Sequence, residues 1–374
     1  MRMIFLSNYF NHHQQPFCDA INGLLEGDFL FIETQAMEQE RIDLGWGRVD
    51  FPPYVVRNFV YENSKAEYQR LVDEADVVLI GSAPESLIKN RIRNKRLTFC
   101  YSERWLKEKL SFLRYILHLF RRQRSYPARA PIYMLCASGY TASDCAKFGV
   151  FRNKCYKWGY FPPFHTYGDI VSLLNAKTPD SLLWVGRFID CKHPEMPLLL
   201  AKRLKDSGYS FEMNLIGTGA LEKKMRHMID DLRLGEHVHM LGAMSPDEVR
   251  KHMECSSIFL FTSDRNEGWG AVLNEAMNSA CSVIANEAIG SVPFLIDGNN
   301  GLTYADGDLE DLYEKTTFIL NNPSSATNMA KHAYFTIAEE WNAKTAAERL
   351  LLLIADLQCG NKSTRFTSGP CSKA

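Results

Sequence analysis

The sequence predicts an α/β protein made of two successive parallel-sheet domains. Three observations lead there. The chain has 374 residues, long for one domain and enough for two separate cores. Short apolar runs alternate with longer helical patterns throughout, as βαβ units require. The alternation comes in two series, separated by the turn-rich stretch Trp158-Gly-Tyr-Phe-Pro-Pro-Phe-His165 and the polar stretch Asn175–Asp180.

In the first series the expected strands are Arg2–Ser7, Phe29–Thr34, Val77–Gly81, Leu97–Tyr101, Ile132–Cys136 and Cys155–Trp158. In the second they are Ser181–Gly186, Phe211–Gly217, Val238–Leu241, Ile258–Thr262, Ser282–Ala285 and Gly301–Tyr304. One helix start is explicit: Ser245 can cap, Pro246 suits the first helical position, and Glu248 completes a capping box. The reading is therefore two Rossmann-like domains, residues 1–165 and 176–342, with the linker between them. A long amphipathic helix over 343–358 is expected to pack back towards the first domain. The polar tail 360–374 is expected to be disordered.

Composition narrows the function. The apolar fraction is 46%, the charged fraction 23% and the formal net charge -1, so there is no bulk attraction to nucleic acid. None of the 10 Cys falls in a CxxC pair, and no Cys/His cluster has zinc-site spacing, so no metal site is expected. The first residues turn polar too soon for a secretory signal, and no apolar run reaches the ~18 residues that span a bilayer. A reducing cytoplasm is the expected compartment. No GxGxxG follows the first strand of either domain, which removes a dinucleotide oxidoreductase.

The chemistry concentrates in Ser263-Asp-Arg-Asn-Glu267-Gly-Trp-Gly-Ala-Val-Leu-Asn-Glu275-Ala-Met277. A buried strand precedes it and a helix follows Gly270, so Gly268-Trp269-Gly270 is a strand-to-helix turn. In an open parallel sheet ligands bind outside the carboxyl ends of strands. Glycines there let backbone N–H groups approach a ligand, and the helix start attracts phosphate. Glu267 and Glu275 flank the turn, and carboxylates accept from the paired hydroxyls of a ribose or hexose. Trp269 either stacks on a sugar face or packs inside the turn.

Glu267 and Glu275 stand eight apart, and this segment resembles the E-x7-E signature of the retaining glycosyltransferase family 4, which has the GT-B fold: two Rossmann-like domains whose parallel sheets face a central cleft. The resemblance covers roughly Leu182–Tyr304. It implies that Glu267 contacts the donor hexose, that Glu275 binds the nucleotide ribose, and that Gly268 and Gly270 supply backbone contacts. Val185-Gly186-Arg187 with Lys192 resembles the family's V-G-R-x4-K, implying that Arg187 and Lys192 clamp the diphosphate. An Arg fork and a Lys point charge both suit phosphate oxygens. Gly217, in Ile216-Gly-Thr-Gly219, matches the family's turn after the second strand, and Gly242 its loop near the nucleobase.

The sequence also departs from the family. Ala280-Cys-Ser282-Val283 stands where Gly-x-Pro-Val is usual, and Gly290-Ser-Val-Pro-Phe294 where Gly-Gly-x-Pro-Glu is usual. The first domain has Asn8-Tyr-Phe-Asn-His12-His13 in place of a glycine pair. The acceptor-side candidates are therefore His12 and His13, after the first strand, and Glu103, which contacts the acceptor, pairs with Arg104 or serves as a helix N-terminal charge.

Charge is uneven along the chain. Residues 85–130 hold 13 Lys/Arg and 3 Asp/Glu. Within them, a helix over 106–124 is expected to place Leu106, Leu110, Leu113, Leu117 and Phe120 on one face. A basic amphipathic helix of this kind can lie on an anionic membrane surface, here the inner face.

The implied activity moves a hexose-type sugar from a nucleotide-diphosphate sugar to a hydroxyl of a glycan or lipid-linked glycan with retention, no metal being required. Two alternatives stay open: a GT-B-fold sugar-nucleotide epimerase or hydrolase, and a non-catalytic partner subunit.

Overall fold

The structure is a computed structural model that describes residues 1–39, 42, 50–60, 65–107, 111–361 and 363–374. The chain divides into two compact units. One comprises Met1–Pro163 with Trp341–Ala374, the other Phe164–Glu340.

The first unit is built on strands β1 (Met3–Ser7), β2 (Phe29–Glu33), β3 (Val55–Arg57), β4 (Val77–Ile80), β5 (Thr98–Ser102), β6 (Ile132–Cys136) and β7 (Cys155–Lys157). They form one parallel sheet in the order β3-β2-β1-β4-β5-β6-β7. The second unit carries β8 (Thr178–Val185), β9 (Glu212–Ile216), β10 (Val238–Gly242), β11 (Ser256–Phe261), β12 (Ser282–Asn286) and β13 (Leu302–Tyr304), again all parallel, in the order β10-β9-β8-β11-β12-β13. Both are Rossmann-like α/β sheets. Central strands such as β1 and β12 are buried along their whole length. Helices cover both faces of a parallel sheet, and that is why these strands read as continuous apolar runs.

The order reverses at β1, between β2 and β4, and at β8, between β9 and β11. Chains leave those points in opposite directions, which opens a crevice beyond the carboxyl ends. Register sets the crevice of the second unit, with Leu182 opposite Ile258 and Trp184 opposite both Leu260 and Leu215. Beneath it, Trp184, Leu215 and Leu260 pack with Leu200 and Leu204 of the helix Glu195–Asp206. Each such apolar side chain stabilises the fold by roughly 1.5–3 kcal/mol, and Leu204→Ala is expected to cost about 2–5 kcal/mol.

The helix Pro246–Cys255 starts with the capping box read from the sequence. Ser245 Oγ accepts from Glu248 N, and Glu248 Oε2 accepts from Ser245 N at 2.8 Å. Of the two stretches expected to link the domains, only the turn-rich one holds the break. The units part at Pro163/Phe164, whereas Asn175–Asp180 ends the helix Ile170–Asn175 and begins β8, its polar residues being the exposed start of a strand.

The helix Ala343–Gln358 belongs to the first unit and packs on Gln15–Leu24. The tail expected to be disordered is instead seated on β7. Cys371 N donates to Lys157 O and Lys157 N to Ser372 O, both at 2.8 Å, and Lys373 Nζ lies 3.9 Å from the Tyr156 ring centroid. The physical reason is that β7 is the sheet's edge. Its unpaired backbone groups are satisfied by the returning chain, which also buries Cys371.

Candidate functional site

In the second unit the loops after β8 and β11 are neighbours because their strands are. Thr262, fully buried, laces them together. Its Oγ1 accepts from the indole of Trp184 at 2.9 Å and donates to the carbonyl of Lys192 at 2.8 Å. Asp264 N adds a bond to Cys191 O at 3.0 Å. So held, the half-buried Lys192 ammonium forms an ion pair with the Glu267 carboxylate. Arg187 is exposed on the turn after β8. Both cations act on the Cys191 thiol: burial raises it first, Lys192 and Arg187 lower it, and Glu267 and Asp264 push it up again. The four charges thus share one small volume.

The loop after β9 lies directly against this turn. Gly217 adopts φ +134°, and a Cβ there would sit 1.9 Å from the Gly186 carbonyl oxygen. Only glycine fits, so its first role is backbone approach. Its N–H donates to Gly242 O at 2.8 Å, which draws in the loop after β10. Gly270, at φ +82°, closes the strand-to-helix turn where a Cβ would meet the Phe261 ring at 2.4 Å.

Glu275 lies on the helix Val272–Asn278, one turn beyond Gly270. Among the described residues no hydrogen bond or ion pair reaches its carboxylate. Burial pushes its pKa up, opposed by the Arg250 charge. Arg250 itself is held by Asn278 Oδ1 at 2.9 Å and Ser279 Oγ at 3.0 Å. Desolvation of a carboxylate that lacks a protein donor leaves it ready to accept from an entering ligand.

Of the two roles the sequence leaves open for Trp269, packing inside the turn is the one its burial matches. The ring is fully buried, its indole donates to Asn274 Oδ1 at 2.8 Å, and Phe294 lies against it at 6.3 Å between centroids. The turn folds this large apolar ring inward, and Gly268 and Gly270 on either side of it are buried as well. One group was not read from the sequence. His193, in left-handed conformation at φ +47°, bridges Glu195 (Nδ1–Oε1 2.8 Å) and Asp264 (Nε2–Oδ2 3.4 Å). The hydrogen bond its ring donates to the Glu195 carboxylate is the largest influence raising its pKa. A His directly after Lys192 was the available signal, but its two partners are distant from each other in sequence.

In the first unit, Glu33 holds the loop after β1. It accepts from Phe10 N at 2.7 Å and from Arg57 Nε at 3.1 Å, while burial raises its pKa against both. That loop carries His12 and His13, their rings 3.9 Å apart. His13 stacks on Tyr160, whose hydroxyl donates to Glu103 Oε1 at 2.7 Å. Glu103 pairs with Lys107 at 2.9 Å, and Arg104 lies over the Tyr140 ring. The structure therefore brings His13 and Glu103 together through Tyr160, a residue sequence reading had not singled out.

Residues 169–335 match the family described as glycosyl transferases group 1. An uncharacterized glycosyltransferase of Methanocaldococcus jannaschii is 37% identical over 141 residues, which are 37% of this chain and 38% of that protein. The poly(ribitol-phosphate) alpha-N-acetylglucosaminyltransferase of Staphylococcus aureus is 24% identical over 50% of this chain and 38% of its own length. The chain thus spans well under half the length of these curated relatives. Among solved structures, HepE of Anabaena in complex with UDP superposes with a TM-score of 0.70 at 14% identity, covering 95% of this chain and 100% of that one. A glycosyltransferase from Rickettsia africae gives 0.66 at 11% identity over 96% and 98%. The two-sheet architecture is the GT-B fold, and the match to the glycosyl transferases group 1 family lies within the second unit.

Proposed function

We propose that the chain is a retaining glycosyltransferase of family 4 type. It would move a hexose-type sugar from a nucleotide-diphosphate sugar to a hydroxyl on a glycan or lipid-linked glycan, in surface polysaccharide assembly. The observation that carries this reading is the meeting of Lys192 and Glu267 at the switch point between β8 and β11, one helical turn from the unpaired Glu275.

In this reading Arg187 and Lys192 hold the diphosphate, the Arg by its planar fork and the Lys as a point charge. Glu275 accepts the ribose hydroxyls, and Glu267 the hydroxyls of the donor sugar, with Lys192 shared between carboxylate and phosphate. The backbone at Gly268, Gly270, Gly217 and Gly242 lines the path. Transfer breaks the bond between the anomeric carbon and the phosphate oxygen and forms one to the acceptor oxygen on the same face. The acceptor proton passes to the leaving phosphate oxygen, and the nucleoside diphosphate departs. Arg187 and Lys192 stabilise the charge that builds on that leaving group, so no metal is needed. His12, His13 and Glu103 are the acceptor-side candidates, with Tyr160 orienting Glu103.

Support for a polysaccharide acceptor comes from relatives: the Staphylococcus protein acts on poly(ribitol-phosphate), and an Erwinia amylovora relative is an amylovoran biosynthesis glycosyltransferase. Support for a uridine nucleotide comes from the UDP bound to HepE. The test is calorimetric titration of the wild type and Glu275→Ala with UDP, GDP and ADP, followed by their sugar conjugates. Binding of one nucleotide, weakened at least about tenfold by the substitution (~1.4 kcal/mol), supports the reading. Absence of binding to all three overturns it in favour of a non-catalytic partner subunit. Turnover of the donor with no acceptor present would favour the epimerase or hydrolase.

A further inference from the structure

The helix Phe112–Ser125 stands apart from every other long helix described here, because it buries none of its residues. It is nevertheless fixed to the first unit along one side. Tyr115 donates to Lys147 O at 2.6 Å and stacks on Phe148, and Arg122 pairs with Glu85 at 2.9 Å while lying 4.0 Å from the Trp105 ring centroid. The opposite side is apolar and open: Phe112 is 77% exposed, Leu113 75%, Leu117 69% and Phe120 66%. The expected start at Leu106 is corrected, because Asp144 Oδ2 holds the Leu106 amide outside the helix at 2.9 Å, and 108–110 lie outside the described residues.

Single exposed leucines need no explanation, but a contiguous apolar stripe on one helix does. At about 100° per residue, Leu113, Ile116, Leu117 and Phe120 form one stripe, Arg114 and Arg121 line its edge, and Arg124 continues it at the C-terminal end of the helix. All three arginines are exposed, and the helix contains no acidic residue. This charge decides the occupant. A second copy would bring the same arginines against these, and like charges across an interface are unfavourable. An anionic lipid surface offers phosphates to the arginines and acyl chains to the stripe. The helix is 14 residues long, roughly 21 Å, too short to span a bilayer but sufficient to lie in its interface. Among the described residues no helix is long and apolar enough to cross a membrane.

We propose that Phe112–Ser125 is an interfacial helix that docks the first unit on an anionic lipid surface, its apolar stripe at the acyl boundary and its arginines on headgroup phosphates. This inference stands on the surface alone and is independent of the activity proposed above.

The test is flotation of the full chain with phosphatidylcholine vesicles, with and without phosphatidylglycerol. Two variants accompany it, the triple serine Leu113→Ser/Leu117→Ser/Phe120→Ser and the charge reversal Arg114→Glu/Arg121→Glu. The substituted side chains are solvent-exposed, so the melting temperature should be unchanged. Recruitment should require the anionic lipid, weaken in high salt, and fall at least about tenfold in each variant. Equal binding to neutral vesicles, or variants that float like the wild type, would overturn the proposal. A wild type that fails to float overturns it too. Size exclusion then assigns the stripe, to self-association if the chain runs larger than the serine variant and to a protein partner if both run as monomers.

Discussion

Thr262 and Lys192 are joined by a hydrogen bond from the threonine hydroxyl to the lysine carbonyl at 2.8 Å, and through the same hydroxyl Trp184 joins them. A core tryptophan thereby fixes the backbone of a loop that carries a surface cation. Thr262→Val keeps the volume but strands the buried Trp184 N–H and frees the loop. It is expected to cost about 1–3 kcal/mol in denaturant unfolding. It should weaken nucleotide binding more than Thr262→Ser, which retains the hydroxyl.

Glu275 should show the opposite sign for stability and binding. Its folded pKa is raised, so in the folded state the ionised form is penalised. Stability from this group is present below its ordinary value of 4.5 and declines as pH rises from there through the raised value. Glu275→Gln removes that penalty. At neutral pH the unliganded variant should melt no lower than the wild type while its nucleotide affinity falls, and a clear drop in melting temperature would contradict this account.

His193 has a raised pKa because of Glu195 first and Asp264 further down. Its contribution to stability is complete below the ordinary 6.5 and disappears as pH climbs through the raised value. In His193→Gln this part of the slope should vanish. Thermal melts of both proteins from mildly acid to alkaline pH compare them directly.

Trp269 is structural by position. Trp269→Ala should cost about 3–5 kcal/mol. Trp269→Phe should keep most of the nucleotide affinity. A large loss of affinity in the Phe variant without loss of stability would show that the ring meets the donor after all.

If Arg187 and Lys192 carry the diphosphate charge, EDTA should leave turnover unchanged. Arg187→Ala and Lys192→Ala should each lower kcat by about 10²–10³, in the range of one lost transition-state donor. An EDTA-sensitive rate restored by a divalent cation would reverse that assignment.

The sequence was most informative where one local rule decides the outcome. Central strands such as β1 and β12 were read because their apolar runs are buried on both faces, whereas Val55–Arg57, three half-buried residues at a sheet edge, was missed. Lys192 and Glu267 were singled out in separate motifs, and their meeting follows from β8 lying beside β11. The His193 bridge joins the segment after β8 to the loop after β11 and leaves no spacing to read. Trp269 was ambiguous because nothing local tells whether a turn aromatic faces in or out. The tail looked disordered because its polar composition says nothing about the open edge of β7 that accepts it.

The first unit is discontinuous, with Met1–Pro163 completed by Trp341–Ala374. Domains usually finish folding in the order in which they are synthesised. Here that order is inverted. On the ribosome the second unit has all its residues while the first still lacks the helix that covers Gln15–Leu24 and the segment that closes β7. A stalled or truncated nascent chain would therefore carry a finished second unit and an unfinished first one.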